Sequence, residues 1–212
     1  MTLYDYFRSS AAYRVRIALN LKGLRYDSHP VSLVDKAQQS PAYQAINPAQ
    51  LVPTLETEQG YLSQSLAIIE YLDECYPENA LLPSDPWQKA QCRALALSVA
   101  CDIHPVNNLR VLNYLTGELA VSQEDKLIWY HHWLKAGLAA LETQLAARHQ
   151  QHSTTFCCGD TPMLADLCLV PQLYNARRFE LDLSPYPSLT RIEQACQQLK
   201  AFKDAHPENQ AI

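Results

Sequence analysis

Apolar and polar positions change rhythm along this chain. Leu3-Tyr4-Asp5-Tyr6 alternates over a few residues, as a short strand does. Ser10 to Lys22 repeats at helical spacing, opens on a small polar residue and stops at Gly23, the usual start and stop signals of a helix. Tyr26 to Leu33 reads as a second strand. Gln50-Leu51-Val52-Pro53-Thr54-Leu55-Glu56 leads into a third, and Gln59-Gly60 forms a turn before Tyr61-Leu62-Ser63. Ser65 to Tyr76 is helical again, with Leu66, Ile69, Leu72 and Asp73 in helical register. Strand, helix, strand, then two strands and a helix make a small α/β layer.

After about Ser84 no strand pattern remains. Helical stretches run over Pro86–Leu115, Gln123–Gln150, Met163–Tyr174 and Leu189–Leu199. Pro105 interrupts the first of these; it removes a donor, frees the Cys101 carbonyl and predicts a kink, either a plain bend or the opening of a cleft. The proline-bounded segment Pro77–Asp85 reads as a linker. The expected organisation is an α/β domain over residues 1–82 and an all-α domain over 87–212.

The 212 residues and 48% hydrophobic content are enough for a substantial core. A net charge of −5 argues against non-specific binding to nucleic acid or anionic membrane. No apolar run reaches the roughly 18 residues that span a bilayer. MTLYDYFRSS lacks the basic start and apolar stretch of a signal peptide. The seven cysteines show no CxxC or zinc-type spacing and read as reduced thiols, mostly small buried hydrophobes, which implies the cytoplasm and no metal.

Four local features bear on chemistry. Ser9 and Ser10 stand at a helix start, where free N–H groups and the positive helix end favour an anion and would stabilise a thiolate. A serine there is ordinarily just a cap. Val52-Pro53 precedes a strand; a cis peptide there would present the Val52 N–H and C=O for strand-like pairing with a peptide ligand, although an edge-strand proline is the plainer reading. Gln64-Ser65 opens another helix, with Ser65 as its expected cap and a carboxylate as a possible guest. Asp166, three residues after Met163, has the spacing of a capping box. His104 and Asn108 share a helical face at i, i+4, whereas the adjacent His131 and His132 diverge and read as surface.

In this order the features resemble the glutathione-transferase superfamily over essentially the whole chain. The blocks Tyr6-Phe7-Arg8-Ser9-Ser10, Arg14-Val15-Arg16-Ile17-Ala18-Leu19, Asn47-Pro48, Gln50-Leu51-Val52-Pro53-Thr54-Leu55, Leu169-Val170-Pro171-Gln172 and Asn175-Ala176-Arg177-Arg178-Phe179 are similar to its zeta class. The resemblance implies a thioredoxin-like N-terminal domain, an all-α C-terminal domain and a homodimer. It implies that Gln50, Val52, Pro53, Gln64, Ser65, His104 and Asn108 bind glutathione. Ser9 and Ser10 would face its thiol, with Ser10 the first choice, and Arg8, Arg110 and Arg178 would hold a small dicarboxylic keto acid.

The implied reaction is cis–trans isomerisation of maleylacetoacetate or maleylpyruvate to the fumaryl isomer, by reversible addition of the glutathione thiolate. Two other readings stand beside it: a broader transferase acting on small electrophiles or α-halo acids, and a non-catalytic interaction module. Two positions depart from the class. Ala11 stands where a cysteine is common, and Met163 stands where a capping serine or threonine is usual.

Overall fold

The computed structural model describes residues 1–210. The chain forms two compact units: Met1–Leu82 joined by the segment from Gln197 onward, and Pro83–Cys196.

The first unit is built on a four-stranded sheet of order β2-β1-β3-β4, made of β1 (Thr2–Asp5), β2 (Asp27–Pro30), β3 (Thr54–Thr57) and β4 (Gly60–Ser63). β2 runs parallel to β1, while β3 and β4 continue antiparallel. The parallel step requires a crossover, which α1 (Ser10–Leu21) supplies. α1 is buried at every position from Ala12 to Leu19. Its C-terminus is released at Gly23, whose φ of +66° suits a residue without a side chain. β2 is shorter than the expected Tyr26–Leu33 and exposed throughout. Pro30 closes it, and the Val31 N–H turns back to Asp5 O at 2.6 Å. α2 (Pro41–Ile46) is too short to show a period in sequence; Ser40 caps it. α3 (Ser65–Cys75) packs on α1 through a face that includes Ile68, Ile69 and Leu72.

The C-terminal segment departs from the expected 87–212 division because α9 (Lys200–Ala205) lies along α1. The Tyr13 hydroxyl donates to Phe202 O at 3.5 Å, Arg16 Nε to Ala205 O at 3.1 Å and Asn20 Nδ2 to Ala201 O at 3.0 Å. Phe202 and Ala205 are fully buried.

The second unit is helical: α4 (Pro86–Leu97), α5 (Leu109–Gly117), α6 (Gln123–His152), α7 (Leu164–Arg178) and α8 (Pro187–Gln198), whose last two residues belong to the other unit. The expected single helix over Pro86–Leu115 is broken more thoroughly than a kink. After α4 comes a wide π-type turn over Ser98–Ile103, in which the His104 N–H reaches back five residues to Val99 O at 2.9 Å. A 3-10 turn over Pro105–Asn107 follows, and Asn108, in extended conformation, starts α5 afresh. Pro105 has no N–H to continue an α-helical ladder, so the backbone re-pairs around it. α6 buries Tyr130, Leu134, Leu138, Leu141 and Leu145 on one stripe. A Cβ at Gly137 would stand 2.3 Å from the Ile103 side chain, so any larger residue there would have to displace Ile103 from its place beside α6.

At the start of α7 the fully buried Asp166 accepts from the Cys157 N–H at 2.9 Å and the Met163 N–H at 2.8 Å. Burial pushes its carboxyl above the usual range, and the two backbone donors oppose that shift. Met163 brings no side-chain oxygen to the other arm of the box, so the cap is one-sided.

Candidate functional site

The register of the first sheet gathers three of the sequence features. Tyr4 near the end of β1 pairs with Thr54 at the start of β3, and Thr54 pairs with Ser63 at the end of β4. The segments Tyr6–Ser10, Gln50–Pro53 and Gln64-Ser65 therefore all leave from the same end of the sheet.

Ser9 is the cap of α1: its Oγ accepts from the Ala12 N–H at 3.2 Å. That bond occupies an acceptor lone pair and leaves the hydroxyl hydrogen to be donated elsewhere. Ser9 is half-buried, whereas Ser10, the first helical residue, is only 3% exposed. Ser9 is thus the more exposed of the two serines expected to face the thiol. The exposed Arg8 places its guanidinium 4.9 Å from the Phe7 ring centroid, a cation–π contact that fixes the chain entering α1.

Val52-Pro53 is cis. The loop before it is braced from below: Leu51 O accepts from Tyr43 Oη and Asn47 Nδ2, each at 2.8 Å, and both groups also meet Thr54 Oγ1 at 3.1 Å. Val52 is half-buried, and its own N–H and C=O have no hydrogen-bond partner among the described residues. This is the backbone arrangement that pairs with an extended peptide. Gln50 takes a positive φ of 57° and donates its N–H to Asn47 O at 2.9 Å.

Gln64, not Ser65, occupies the cap position of α3. It is exposed and held at φ 71°, a strained conformation for a residue with a side chain, and no side chain caps the first turn. Ser65 is the first helical residue, 6% exposed, and its Oγ accepts from Arg14 Nη1 at 3.3 Å.

The other expected site residues lie in the second unit. His104 ends the π-type turn, and its Nε2 stands 3.5 Å from Asn108 Nδ2. The pair meets although the chain between them is not an α-helix. Asn108 Oδ1 accepts from the Arg110 N–H at 3.1 Å, and Arg110 is exposed on the first turn of α5. Arg178, exposed at the end of α7, donates to Asn175 Oδ1 at 3.2 Å and lies 5.8 Å from the Phe179 ring centroid. Beside it, Arg177 is engaged in an ion pair with Glu193. His131, read as surface, is half-buried with Nε2 at 2.6 Å from Phe179 O; its sequence neighbourhood carries no sign of that long-range contact.

Residues 3–80 match the family profile "Glutathione S-transferase, N-terminal domain", and residues 134–202 match "Glutathione S-transferase, C-terminal domain". A probable maleylacetoacetate isomerase of Vibrio cholerae is 50% identical over 99% of this chain and 97% of its own. A solved holo structure of a bacterial maleylpyruvate isomerase, described as a zeta-class glutathione S-transferase, superposes with a TM-score of 0.96 at 45% identity, covering 99% of this chain and 98% of that one. The chain belongs to the zeta class of the glutathione S-transferase family. Another zeta-like neighbour, a maleylacetoacetate isomerase from Methylobacterium extorquens AM1 solved with bound malonate and glutathione, has a TM-score of 0.95 at 39% identity over 100% of this chain and 98% of its own.

In this glutathione S-transferase chain, sequence reasoning passed over Arg14. It is 2% exposed, and its Nε and Nη2 have no hydrogen-bond partner among the described residues. A signal was present: Arg14 and Arg16 interrupt a run that is otherwise apolar on every face, so neither had a water-facing side to occupy. Among the described residues no group of three or more His, Cys, Asp or Glu could hold a metal ion. Nor is any helix there long and apolar enough to cross a membrane.

Proposed function

We propose that this chain catalyses glutathione-dependent cis–trans isomerisation of a maleyl keto acid, maleylacetoacetate or maleylpyruvate, to the fumaryl isomer. The observation that carries the reading is the gathering of Ser9, the unpartnered Val52 backbone and the uncapped start of α3 at one end of the sheet, in a chain 50% identical to a probable maleylacetoacetate isomerase.

Glutathione carries groups that match these in kind. Its cysteinyl amides match the Val52 N–H and C=O, and its γ-glutamyl carboxylate matches the Ser65 hydroxyl and the first-turn N–H groups of α3. Gln64 lies beside that carboxylate, and Gln50 and Pro53 shape the intervening loop. His104 and Asn108, in the second unit, are further candidates for glutathione binding. When bound, glutathione supplies a thiolate that adds to the conjugated double bond and leaves again, the bond being single and free to rotate in between.

The protein's part is to make that thiolate available at neutral pH and to hold the dicarboxylate. Ser9 donates its hydroxyl hydrogen to the sulfur while its oxygen remains anchored on Ala12. The positive end of α1 adds to the same effect. Arg8, Arg110 and Arg178, each exposed, are the proposed partners of the substrate carboxylates, for which a planar guanidinium is the best-matched side chain. Ala11 carries no acid, base or nucleophile, so the chemistry rests on a thiol that the protein does not own.

We further infer a homodimer acting in the cytoplasm, in the breakdown of aromatic compounds. The test is turnover: purified protein should convert a maleyl keto acid to its fumaryl isomer only when glutathione is present, with no net consumption of glutathione. Accumulation of glutathione conjugates without isomer would favour the broader transferase instead.

A further inference from the structure

Three consecutive residues of α6 reach out of their helix to two other segments of the second unit. Trp129 donates its indole N–H to Val106 O at 2.9 Å. Tyr130 stacks on the Phe179 ring, with centroids 3.9 Å apart and planes at 27°, and its carbonyl accepts from Asn107 Nδ2 at 3.2 Å. His131 meets Phe179 O at 2.6 Å through Nε2. A carbonyl only accepts, so that nitrogen carries a proton and donates it. Successive side chains on a helix point about 100° apart, so one turn of α6 holds two neighbours at once.

The two segments held are those that carry arginines proposed for the substrate. Val106 and Asn107 lie in the 3-10 turn before Asn108, and Asn108 caps α5 by accepting from the Arg110 N–H at 3.1 Å. Phe179 is the residue on which α7 ends, next to Arg178. Neither segment is braced by a helical ladder of its own. The chain before α5 leaves that ladder at the π-type turn. The last carbonyls of a helix such as α7 have no partner within it, and His131 supplies a donor at that end. Just beyond, the backbone turns through Glu180 at φ 57°. The Phe179 ring also has the Arg178 guanidinium 5.8 Å from its centroid. Burial pushes the Tyr130 hydroxyl well above its ordinary pKa and the Arg178 charge opposes that shift, so the guanidinium lies within electrostatic reach of the Tyr130 ring as well. Packing alone would accept apolar side chains at 129 and 131. The residues present instead aim N–H groups at backbone carbonyls of the two arginine-bearing segments.

We propose that Trp129 and His131 are positioning residues for the substrate: from one turn of α6 they hold the segments bearing Arg110 and Arg178 in a fixed relation, and so set the length of dicarboxylate that the two guanidinium groups receive. The proposal rests on the isomerase reading given above. Neither residue touches the substrate; each acts through an arginine.

The experiment measures glutathione-dependent isomerase turnover in wild type, His131→Ala, His131→Gln and Trp129→Phe, with malonate, succinate, glutarate and acetate as competing inhibitors. Glutathione affinity is measured alongside by calorimetry. Wild type should be inhibited more strongly by the dicarboxylates than by acetate, and should prefer one length by about fivefold or more. His131→Ala should raise KM for the maleyl keto acid by about fivefold or more with kcat within about threefold, and should flatten the length preference to less than about twofold. Its glutathione affinity should stay within about twofold of wild type. Trp129→Phe, which keeps a ring and loses the N–H, should move KM and the length preference the same way. His131→Gln, whose amide N–H can reach the same carbonyl, should restore both. A merely structural role would lower the melting temperature and leave KM and the length preference of the folded enzyme unchanged; that result in His131→Ala and Trp129→Phe overturns the proposal. So does a loss of glutathione affinity in step with the rise in KM. Should His131→Ala fail to fold, Trp129→Phe decides alone. A wild type that isomerises but shows no length preference overturns the proposal and leaves the isomerase reading standing. A wild type without glutathione-dependent isomerisation removes that reading, and this proposal with it.

Discussion

Replacing Ser9 with alanine removes one interaction seen in the structure and one proposed for the complex. The first is the cap on α1, the bond from the Ala12 N–H at 3.2 Å. Losing such a cap costs about 1 kcal/mol, which for a chain of this size lowers the melting temperature by about 2–4 °C. The second is the proposed bond from the hydroxyl to the glutathione sulfur. A hydrogen bond to a charged group contributes about 1.5–3 kcal/mol. At 1.36 kcal/mol per pH unit, its loss raises the pKa of the bound thiol by about one to two pH units. The two effects are read separately, by thermal unfolding of the free protein and by absorbance titration of the thiolate in the complex. Ser9→Thr retains both donor and acceptor and should restore both. Ser10→Ala, at a position 3% exposed, should leave the thiol pKa near that of wild type. If Ser9→Ala leaves the bound thiol unchanged while Ser10→Ala raises its pKa, the assignment of the thiol contact to Ser9 is wrong.

Asp166→Ala leaves the Cys157 and Met163 N–H groups without their acceptor and should destabilise the protein by about 2–4 kcal/mol in urea unfolding. Burial raises the Asp166 carboxyl, so the native state holds its proton to higher pH than the unfolded chain does. Its stabilisation is fullest below about pH 4 and falls as pH rises through the native value, so the gap between wild type and variant should narrow from pH 4 to pH 7; a gap that widens contradicts the shift. Deleting the chain from Gln197 onward removes the acceptors of Tyr13, Arg16 and Asn20 and should lower the urea midpoint of the unit containing α1, whereas an unaltered midpoint would show that α9 contributes nothing to it. Ala11→Cys should change isomerase turnover by less than about tenfold, roughly 1.4 kcal/mol in barrier; activity that appears only in the cysteine variant would make a protein thiol the nucleophile.

Much of the first unit was legible because its signals are local. Ser9 before an apolar run, Gly23 after it, and the turn at Gln59-Gly60 are read within a few residues. The stretch after Leu97 was not, because its apolar positions keep a helical period while Pro105 removes the donor that the ladder needs. Asn108 then acts as a cap, a role the i, i+4 spacing with His104 concealed. The shared end of the sheet from which Tyr6–Ser10, Gln50–Pro53 and Gln64-Ser65 leave follows from strand register, which three four-residue strands do not specify by composition. The placement of α9 on α1 and of Arg14 behind Ser65 depends on contacts between residues far apart in the chain, 189 positions for Arg16 with Ala205 and 51 for Arg14 with Ser65. The cap of α3 was misread for a subtler reason: Ser65 has the right residue type, but the strained Gln64 takes the position one residue earlier.

The account stands most directly on one comparison: the rate at which the purified protein converts maleylacetoacetate and maleylpyruvate to their fumaryl isomers, with and without glutathione, followed by separation of the isomers and by assay of total free glutathione. It predicts fumaryl product from at least one of the two substrates, dependent on glutathione, with the glutathione recovered unchanged. Isomerisation at the same rate without glutathione, or its complete absence with both substrates when glutathione is bound, would contradict it.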